Sequence, residues 1–317
     1  MQKKKHILFS RLEAVMLGHA VGDALGVPVE FCTREELTHH PVTDMQGFGT
    51  YAVPRGCWSD DTSMALACLD SLKEGRFDAK DMMERFSRWY FEDWYTPTGE
   101  TFDMGNICSM AIENFARGNT PPEKCGIVGE LSNGNGSLMR IHPAVLWAWC
   151  CLDEGEWREK IDQISALTHA HERAKLGCRI YAEVLLALLD TPSKEAVFSA
   201  LAKAKEAFAD SPEINHYQRI FAPDFAELSK DMIESSGYVV HTLEAALWCL
   251  LNTKSYEECV LCAVNLGDDT DTTAAVAGGL AGALYGLAGL PWRWISALKK
   301  QEDILSLCQT ASQNWAK

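Results

Sequence analysis

Two short acidic stretches contain the residues best suited to chemistry. They are Ser59-Asp60-Asp61-Thr62 and Asp268-Asp269-Thr270-Asp271-Thr272, and each opens a long apolar helical pattern. Carboxylates packed this closely repel one another, so they need compensating positive charge. The free N–H groups and the dipole of a helix N-terminus supply part of it, and a hard divalent cation would supply the rest. The sequence therefore predicts that the two stretches meet in the fold and hold one or two Mg²⁺-like ions.

Two further polar stretches each allow two interpretations. The Gly/Asn-rich stretch from Asn133 to Arg140 opens an apolar helical pattern, and Thr168-His169-Ala170-His171 lies between two helical patterns. Backbone N–H groups in a Gly/Asn-rich loop can cradle a phosphate, although a plain helix-capping turn has the same composition. The histidines fit either a metal-binding pair or polar linker residues beside a capping Thr168. The residues alone leave both questions open.

Glycines at intervals of four occur in two of the helical patterns. They are Gly18, Gly22 and Gly26 near the N-terminus and Gly278, Gly282 and Gly286 after the second acidic stretch. The first pattern has a predicted start at the capping box Ser10-Arg11-Leu12-Glu13 and runs to Leu25. Glycine is unfavourable inside a helix, so repeated glycines indicate that two backbones approach closely. We expect these two helices to pack together and to set Glu30, Ser59 and Asp269 around one pocket.

Helical patterns also cover most of the remaining chain. The predicted helices include residues 59–73, 78–93, 106–118, 156–167, 172–189, 193–210, 241–251 and 255–266. No stretch alternates with period two for long enough to build a sheet, so the predicted fold class is all-α. No Gly/Ser/Pro-rich linker divides the chain, and we expect residues 1–317 to form a single domain. Residues 211–238 lack periodicity and contain Pro212 and Pro223, which indicates a surface excursion.

Composition excludes some classes of partner. The formal net charge is -15, so the chain lacks the Lys and Arg excess of a nucleic-acid or anionic-membrane surface. The 12 cysteines follow no disulfide framework, and the single CxxC, Cys259-Val260-Leu261-Cys262, lies in a helical pattern without further zinc ligands nearby. The basic N-terminus is followed by Arg11 and Glu13, unlike a signal peptide. We expect a soluble cytoplasmic protein.

Five motifs in a fixed order resemble those of the ADP-ribosylglycohydrolase family. They are Gly18 with Gly22-Asp23-Ala24-Leu25-Gly26, Ser59-Asp60-Asp61-Thr62, Asn133-Gly134-Asn135-Gly136-Ser137 with Met139-Arg140, Thr168-His169 and Gly267-Asp268-Asp269-Thr270-Asp271-Thr272. Each motif alone is modest, but the ordered set is specific, and it covers the chain from about Leu12 to Leu290. The resemblance implies an orthogonal all-α bundle with two metal ions, Mg²⁺ or Mn²⁺, at the base of an ADP-ribose cleft.

The resemblance also implies roles for individual residues. The implied metal ligands are Ser59, Asp60, Asp61, Asp269, Asp271 and Thr272. The implied substrate-binding residues are Asp103, Gly105, Asn106, Asn135, Gly136, Ser137, Met139 and His169. Glu30 matches an acidic residue that lies near the metals in the family. Two positions depart from the commoner pattern, since Ser59 replaces a threonine and Asp268 replaces a glycine.

The reaction implied by this resemblance is hydrolysis of the glycosidic bond between ADP-ribose and an acceptor, which is an ADP-ribosylated protein or a small ADP-ribosyl compound. Such cleavage passes through oxocarbenium-like charge, and a carboxylate serves as acid or base. Glu30, Asp60 and Asp61 are the candidates, and the sequence does not choose among them. It also leaves open the acceptor linkage (arginine, serine, O-acetyl or another), the choice of Mg²⁺ or Mn²⁺, the role of Asp268 and the oligomeric state. The alternatives are a non-catalytic ADP-ribose-binding protein and a metal-dependent nucleotide phosphohydrolase.

Overall fold

The computed structural model describes residues 2–153 and 155–316, with side chains from residue 8 onward. Within these ranges the regular structure consists of α-helices and short 3₁₀ turns, and the only β-type pairings are two isolated bridges, Ile127 with His169 and Gly134 with Tyr238. The all-α, single-domain prediction is confirmed.

The α-helices follow one another with short connections. In chain order they are α1 Gln2–Gly26, α2 Arg34–His39, α3 Asp60–Leu72, α4 Ala79–Glu92, α5 Asn106–Ala116, α6 His142–Cys151, α7 Trp157–Ser165, α8 Glu172–Asp190, α9 Lys194–Ala207, α10 Val239–Asn252, α11 Tyr256–Val264, α12 Thr270–Tyr285, α13 Trp292–Ile295 and α14 Gln301–Trp315. Side-chain caps at Ser59, Asp78, Ser193 and Ser255 fix the starts of α3, α4, α9 and α11, as the sequence predicts.

Helices α1 and α12 pack antiparallel at the centre of the fold, which confirms the prediction from glycine spacing. A Cβ atom on Gly18 would lie 2.5 Å from the Gly278 carbonyl oxygen, and one on Gly22 would lie 2.1 Å from that of Ala274. Real Cβ atoms do not approach so closely, so only glycine fits at these positions. Gly286 does not share this contact; it ends α12 with a φ of 69°.

The antiparallel packing determines where the acidic stretches lie. Because Gly18 faces Gly278 while Gly26 faces Asp271, the C-terminal end of α1 meets the N-terminal end of α12. Helix α3, which begins with the first acidic stretch, contacts both α1 and α12. Three chain segments far apart in sequence therefore converge at one end of the central helix pair.

The predicted start of α1 at Ser10 is wrong. The helix begins at Gln2, so Ser10 lies inside it. The capping-box pattern is present, but the preceding residues 2–9 include no Gly or Pro that would end a helix on its N-terminal side. Helices α2, α13 and α14 were not among the helices predicted from the sequence.

Residues 211–238 form three 3₁₀ turns, at Ile214–Phe221, Phe225–Glu227 and Lys230–Met232. The segment is anchored rather than loose, because Tyr217 and Phe225 are each 1% exposed. The Tyr217 hydroxyl donates to the Arg173 carbonyl in α8 over 2.8 Å. The end of the segment returns to the acidic end of the central helix pair.

Two further findings bear on the protein's environment. All twelve cysteines are free thiols; Cys259 of the CxxC is buried and Cys262 is partly buried. Among the described residues one helical stretch, Leu8–Val29, is long and apolar enough to cross a membrane, but 89% of its apolar window is buried inside the protein. That burial is typical of the core helix of a soluble fold.

Candidate active site: a buried carboxylate cluster

The two acidic stretches meet directly. The Thr272 hydroxyl in the first turn of α12 donates to Asp61 Oδ2 in the first turn of α3 over 3.1 Å. Ser59 caps α3, and its hydroxyl also donates to Asp61 Oδ2 over 3.0 Å. The positive dipole ends of two helices therefore converge on the same carboxylates. This part of the sequence-based hypothesis agrees with the geometry.

Asp23, which the sequence analysis did not select, orients the first stretch. Its Oδ1 accepts from the Ser59 N–H over 2.9 Å, and its Oδ2 accepts from the N–H and the hydroxyl of Thr62 over 3.0 and 2.6 Å. Burial raises the Asp23 pKa to about 7, and these hydrogen bonds oppose the rise. Since both oxygens already accept from protein donors, we interpret Asp23 as a support of the turn. The only sequence signal was its place between Gly22 and Gly26.

Two groups of carboxylates have oxygens within 4.8 Å of one another, and Asp271 belongs to both. One group is Asp23, Asp61 and Asp271, and the other is Glu30, Asp103 and Asp271. Asp61 Oδ1, Asp269 Oδ1, Glu30 Oε2 and both Asp271 oxygens are buried without a hydrogen-bond partner in the described structure. Buried anionic oxygens without partners are costly, so this donor set fits cations. The donors are all oxygens, as hard divalent ions prefer.

Burial and mutual repulsion favour the protonated forms of these carboxyl groups when no cation is bound. Burial, followed by the charge of Asp103, raises the Glu30 pKa to about 9, and a hydrogen bond from Tyr51 opposes the rise. The pKa values of Asp60, Asp61 and Asp271 are raised well above their ordinary range, again chiefly by burial. Burial also raises the Asp269 pKa, which a hydrogen bond from Asn135 opposes. The site thus has a strong electrostatic demand for positive charge.

The Gly/Asn-rich loop lies against the second acidic stretch. Asn135 Nδ2 donates to Asp269 Oδ2 over 2.8 Å and to the Thr242 hydroxyl over 2.9 Å. A Cβ on Gly136 would lie 2.8 Å from both Cys108 Sγ and His169 Cε1, so this position requires glycine. The loop therefore contacts the carboxylates through the Asn135 side chain, and its Gly136 backbone packs against Cys108 and His169.

The other residues predicted to line the substrate cleft divide into two sets. Ser137 and Met139 are 0% and 2% exposed, and they pack in the interior, where the Ser137 hydroxyl contacts Ser165. Gly105 and Asn106 are exposed at the start of α5, and the Gly105 N–H lies 3.5 Å from Asp60 Oδ2. Asp103, predicted on the substrate side, lies with Glu30 and Asp271 among the carboxylates.

The two histidines of the Thr168–His171 stretch have different environments. His169 is buried beside the Gly136 loop, and its Nδ1 lies 2.9 Å from the Thr168 hydroxyl. His171 caps α8 by accepting from the Arg173 N–H over 3.2 Å, and its Nε2 lies 3.1 Å from Glu130. The capping and linker interpretation therefore agrees better with these contacts than a shared metal does, although the capping residue is His171 rather than Thr168.

Several loop residues around the cluster have positive φ without being glycine. Phe31, Asp103 and Asp268 have φ values of 67°, 53° and 60°. The Asp268 N–H donates to the Cys32 carbonyl over 2.8 Å, and its own carbonyl accepts from the Phe31 N–H over 2.7 Å. Glycine adopts this left-handed conformation without strain, in keeping with the glycine that the family resemblance implies at position 268, and strained backbone of this kind concentrates at functional sites. Asp268 thus holds the Glu30 loop against the second stretch.

The fold and the cluster together define an all-α protein with a buried, oxygen-rich site of the type that holds hard metal ions. The ADP-ribosylglycohydrolase family model matches residues 4–317. ADP-ribosylarginine hydrolase Tri1 of Pseudomonas putida (strain GB-1) is 36% identical in an alignment of 306 residues that covers 94% of this chain and 77% of that protein. ADP-ribosyl-[dinitrogen reductase] glycohydrolase of Rhodospirillum rubrum is 29% identical, over 91% of this chain and 90% of the relative.

A solved structure described as an ADP-ribosylglycohydrolase-related protein complex superposes with a TM-score of 0.81 at 32% identity, covering 99% of both chains. The chain belongs to the ADP-ribosylglycohydrolase family. Its function is that of a hydrolase of bonds between ADP-ribose and an acceptor. The binding-only and phosphohydrolase alternatives receive no support from these relatives.

Proposed function

We propose that this protein hydrolyses the bond between ADP-ribose and arginine, with two Mg²⁺ or Mn²⁺ ions in the carboxylate cluster. The observation that carries the metal part is the set of buried, unpartnered carboxylate oxygens that share Asp271. Support for arginine comes from the relatives at 36% and 34% identity, both named ADP-ribosylarginine hydrolases. The acidic cluster also complements a cationic guanidinium group.

The ligands proposed for the two ions come from both acidic stretches and from the loops beside them. They are Ser59, Asp60, Asp61, Asp269, Asp271 and Thr272, to which the geometry adds Glu30 and Asp103 as neighbours. Divalent ions bound here would supply the positive charge that ionises these carboxylates, and would polarise and orient ribose hydroxyls and a water molecule.

Glu30 is the residue that we assign to proton transfer. Its Oε2 has no hydrogen-bond partner in the described structure, and its carboxyl group lies beside Asp103 and Asp271. An arginine acceptor carries a protonated guanidinium group, which can leave as a neutral guanidine without further protonation. The chemistry therefore needs a base that removes a proton from the water attacking the anomeric carbon, and an ionised Glu30 performs this step.

The Gly/Asn-rich loop and His169 would hold the phosphates. The Asn135 backbone N–H already donates to the Gly237 carbonyl over 3.0 Å, and its side-chain amide donates to Asp269. The contribution to a phosphate would therefore come from the backbone after Asn135 and from the His169 ring beside Gly136.

The acceptor side of the cleft would be formed by the loops around Glu30. Phe31 and Phe48 are 67% and 64% exposed, and the Thr50 hydroxyl ties the second loop to the Glu30 carbonyl over 2.8 Å. Aromatic faces attract guanidinium groups, so these residues suit an arginine side chain. The free thiols in the described structure fit the reducing cytoplasm, where we place the protein.

A hydrolysis panel tests this proposal. Peptides carrying ADP-ribose on arginine or serine, O-acetyl-ADP-ribose and free ADP-ribose would each be incubated with Mg²⁺, Mn²⁺ or excess EDTA. We expect free ADP-ribose from the arginine peptide, dependent on metal and abolished by EDTA. Full turnover in EDTA would refute the metal part, faster release from serine would refute the arginine part, and AMP as the product would identify a phosphohydrolase.

A further inference from the structure

Arg140 is a buried cation without an acidic partner. It is 0% exposed, and in the part of the chain that the structure describes the groups that act on its charge are cysteine thiols rather than carboxylates. Its guanidinium group lies over the Phe86 ring at 4.5 Å, and its Nε and Nη1 atoms have no hydrogen-bond partner. A buried charge without an acidic partner costs stability, which indicates that Arg140 has a role other than stabilising the fold.

Arg140 Nη2 donates to the Ile164 carbonyl over 3.3 Å, and its shorter hydrogen bond leads to His169. Arg140 Nη2 donates to the Thr168 hydroxyl oxygen over 2.8 Å, and this oxygen lies 2.9 Å from His169 Nδ1. Arginine can only donate, so the Thr168 oxygen accepts from it and keeps its own proton to donate. His169 Nδ1 is the nitrogen that this proton reaches. The ring then accepts at Nδ1 and carries its proton on Nε2.

A competing arrangement is possible in which Thr168 donates to the Cys108 thiol and His169 Nδ1–H donates to Thr168. The Cys108 thiol interacts with the Thr168 hydroxyl as well. Sulfur is a much weaker acceptor than an imidazole nitrogen, so the first arrangement is favoured. The two arrangements place the single ring proton on different nitrogens, which makes them distinguishable by experiment.

The ring of His169 is neutral and its Nε2 lies beside the Gly/Asn-rich loop. Burial, followed by the charge of Arg140, lowers the His169 pKa to about 3, so the ring carries one proton at neutral pH. A Cβ atom on Gly134 or Gly136 would lie 3.6 or 3.4 Å from His169 Nε2. Because both neighbours of Nε2 are glycines, no side chain fills the space next to this nitrogen.

We propose that Arg140 and Thr168 are positioning residues that fix His169 as the Nε2–H tautomer, so that it donates a hydrogen bond to a phosphate oxygen of ADP-ribose. A neutral donor suits this place, because the ligand is anionic and an Nδ1–H tautomer would present a lone pair to it. The buried charge of Arg140 acts through Thr168 and adds a favourable field for the anion. This inference rests on the proposed function only for the identity of the ligand.

The test combines a tautomer measurement with a binding measurement. Thr168→Val removes the hydroxyl at nearly constant shape, and Thr168→Ser restores it. Thr253→Val is the matched control, since Thr253 is also buried and its hydroxyl donates to the Cys249 carbonyl in α10, away from the cluster. Protein labelled with ¹⁵N-histidine would report the tautomer of His169, with His169→Gln identifying its signals. Calorimetry with ADP-ribose and Mg²⁺ would report affinity.

We expect the Nε2–H tautomer in the wild type and in Thr168→Ser, and a mixture or the Nδ1–H form in Thr168→Val. The affinity of Thr168→Val for ADP-ribose should fall about tenfold, as for loss of one well-placed hydrogen bond. Thr168→Ser and Thr253→Val should bind like the wild type. An Nδ1–H tautomer in the wild type, or an unchanged tautomer and affinity in Thr168→Val, would overturn the inference. Absence of ADP-ribose binding by the wild type would instead overturn the proposed function, while the tautomer result would still stand.

Discussion

Replacing Asp271 by asparagine tests whether the carboxylate cluster is built for cations. Asp271 belongs to both carboxylate groups, and both of its oxygens are buried without a partner in the described structure. Its pKa is raised well above the ordinary value by burial and by the charges of Glu30 and Asp103. A carboxyl group with a raised pKa binds its proton more tightly in the folded state than in the unfolded state. Its contribution to stability is therefore full below about pH 4 and is lost as the pH rises toward the folded-state pKa.

The size of the effect follows from this linkage. Over each pH unit in which the folded state keeps the proton and the unfolded state has lost it, the free energy of unfolding falls by about 1.36 kcal/mol. A single carboxyl group can therefore change the free energy of unfolding by at most about 4 kcal/mol between pH 5 and pH 8. The neighbouring carboxyl groups titrate together, so we expect about 1–3 kcal/mol to be assignable to Asp271. Without metal, Asp271→Asn should thus be more stable than the wild type at pH 8 by that amount, and nearly equal to it at pH 5.

Added Mg²⁺ should stabilise the wild type more than the variant. Free Mg²⁺ at 100 times its dissociation constant stabilises the wild type by about 2.7 kcal/mol, or roughly 5 °C in Tm for a chain of this size. Asp271→Asn should lose most of this shift. The assay is urea unfolding at pH 5 and pH 8, with EDTA and with Mg²⁺, followed by circular dichroism. Asp271 is not a ligand if the variant keeps the wild-type Mg²⁺ shift, and the electrostatic argument fails if its apo stability difference is the same at both pH values.

Asp70→Asn is the matched control for this experiment. Asp70 is also buried, but it pairs with Arg85 and Lys73 and accepts from the Tyr95 hydroxyl over 2.8 Å. Removing this carboxylate breaks the ion pair with Lys73 and leaves Arg85 paired with Asp81 alone among these groups, which costs stability. The control should therefore destabilise the protein at pH 8, opposite in sign to Asp271→Asn, and should leave the Mg²⁺ shift intact.

Two further substitutions test catalysis and packing. Glu30→Gln keeps the shape of the side chain and removes its charge; we expect retained ADP-ribose binding by calorimetry with single-turnover hydrolysis slower by roughly 10²–10⁴-fold. Unchanged turnover would leave Asp60 and Asp61 as the candidate bases. Gly22→Ala would place a Cβ atom 2.1 Å from the Ala274 carbonyl oxygen, and we expect a loss of about 3 kcal/mol in urea unfolding. Gly105→Ala, with nothing within 4 Å, should change stability by no more than about 0.5 kcal/mol, and equal losses in both variants would contradict the close-packing argument.

The parts of the structure that the sequence predicted well depend on local or periodic signals. The acidic stretches lie at helix N-termini, where Ser59 supplies a side-chain cap and a carboxylate is favoured by the dipole. The four-residue glycine spacing indicated the α1–α12 contact because glycine destabilises a helix interior unless a second backbone packs against it. Both inferences needed no knowledge of the rest of the fold.

The parts that were missed depend on partners far away in sequence or on backbone atoms. Asp23 supports Ser59 and Thr62, which are 36 and 39 residues away, and no local pattern reveals that pairing. The Asp269 N–H donates to the carbonyl of Ser235, in a segment whose composition indicated a surface excursion. A carbonyl group is present at every residue, so its use at a site leaves no trace in residue types. At Ser10 a local signal was present but misleading. The capping-box pattern predicted a helix start there, yet residues 2–9 contain no helix-breaking residue, so α1 begins earlier.

The glycine contact and the acidic site are one structural feature. A Cβ atom on Gly26 would lie 2.3 Å from the Asp271 Cα, so any side chain there would push the first turn of α12 away from α1. That turn contributes Asp271 to both carboxylate groups and the Thr272 hydroxyl to Asp61. Because ionised carboxylates repel one another, rigid packing of the helices helps to hold them close enough to share ions. The backbone-to-backbone contact of α1 and α12 supplies this rigidity at the end of the helix pair where the carboxylates converge.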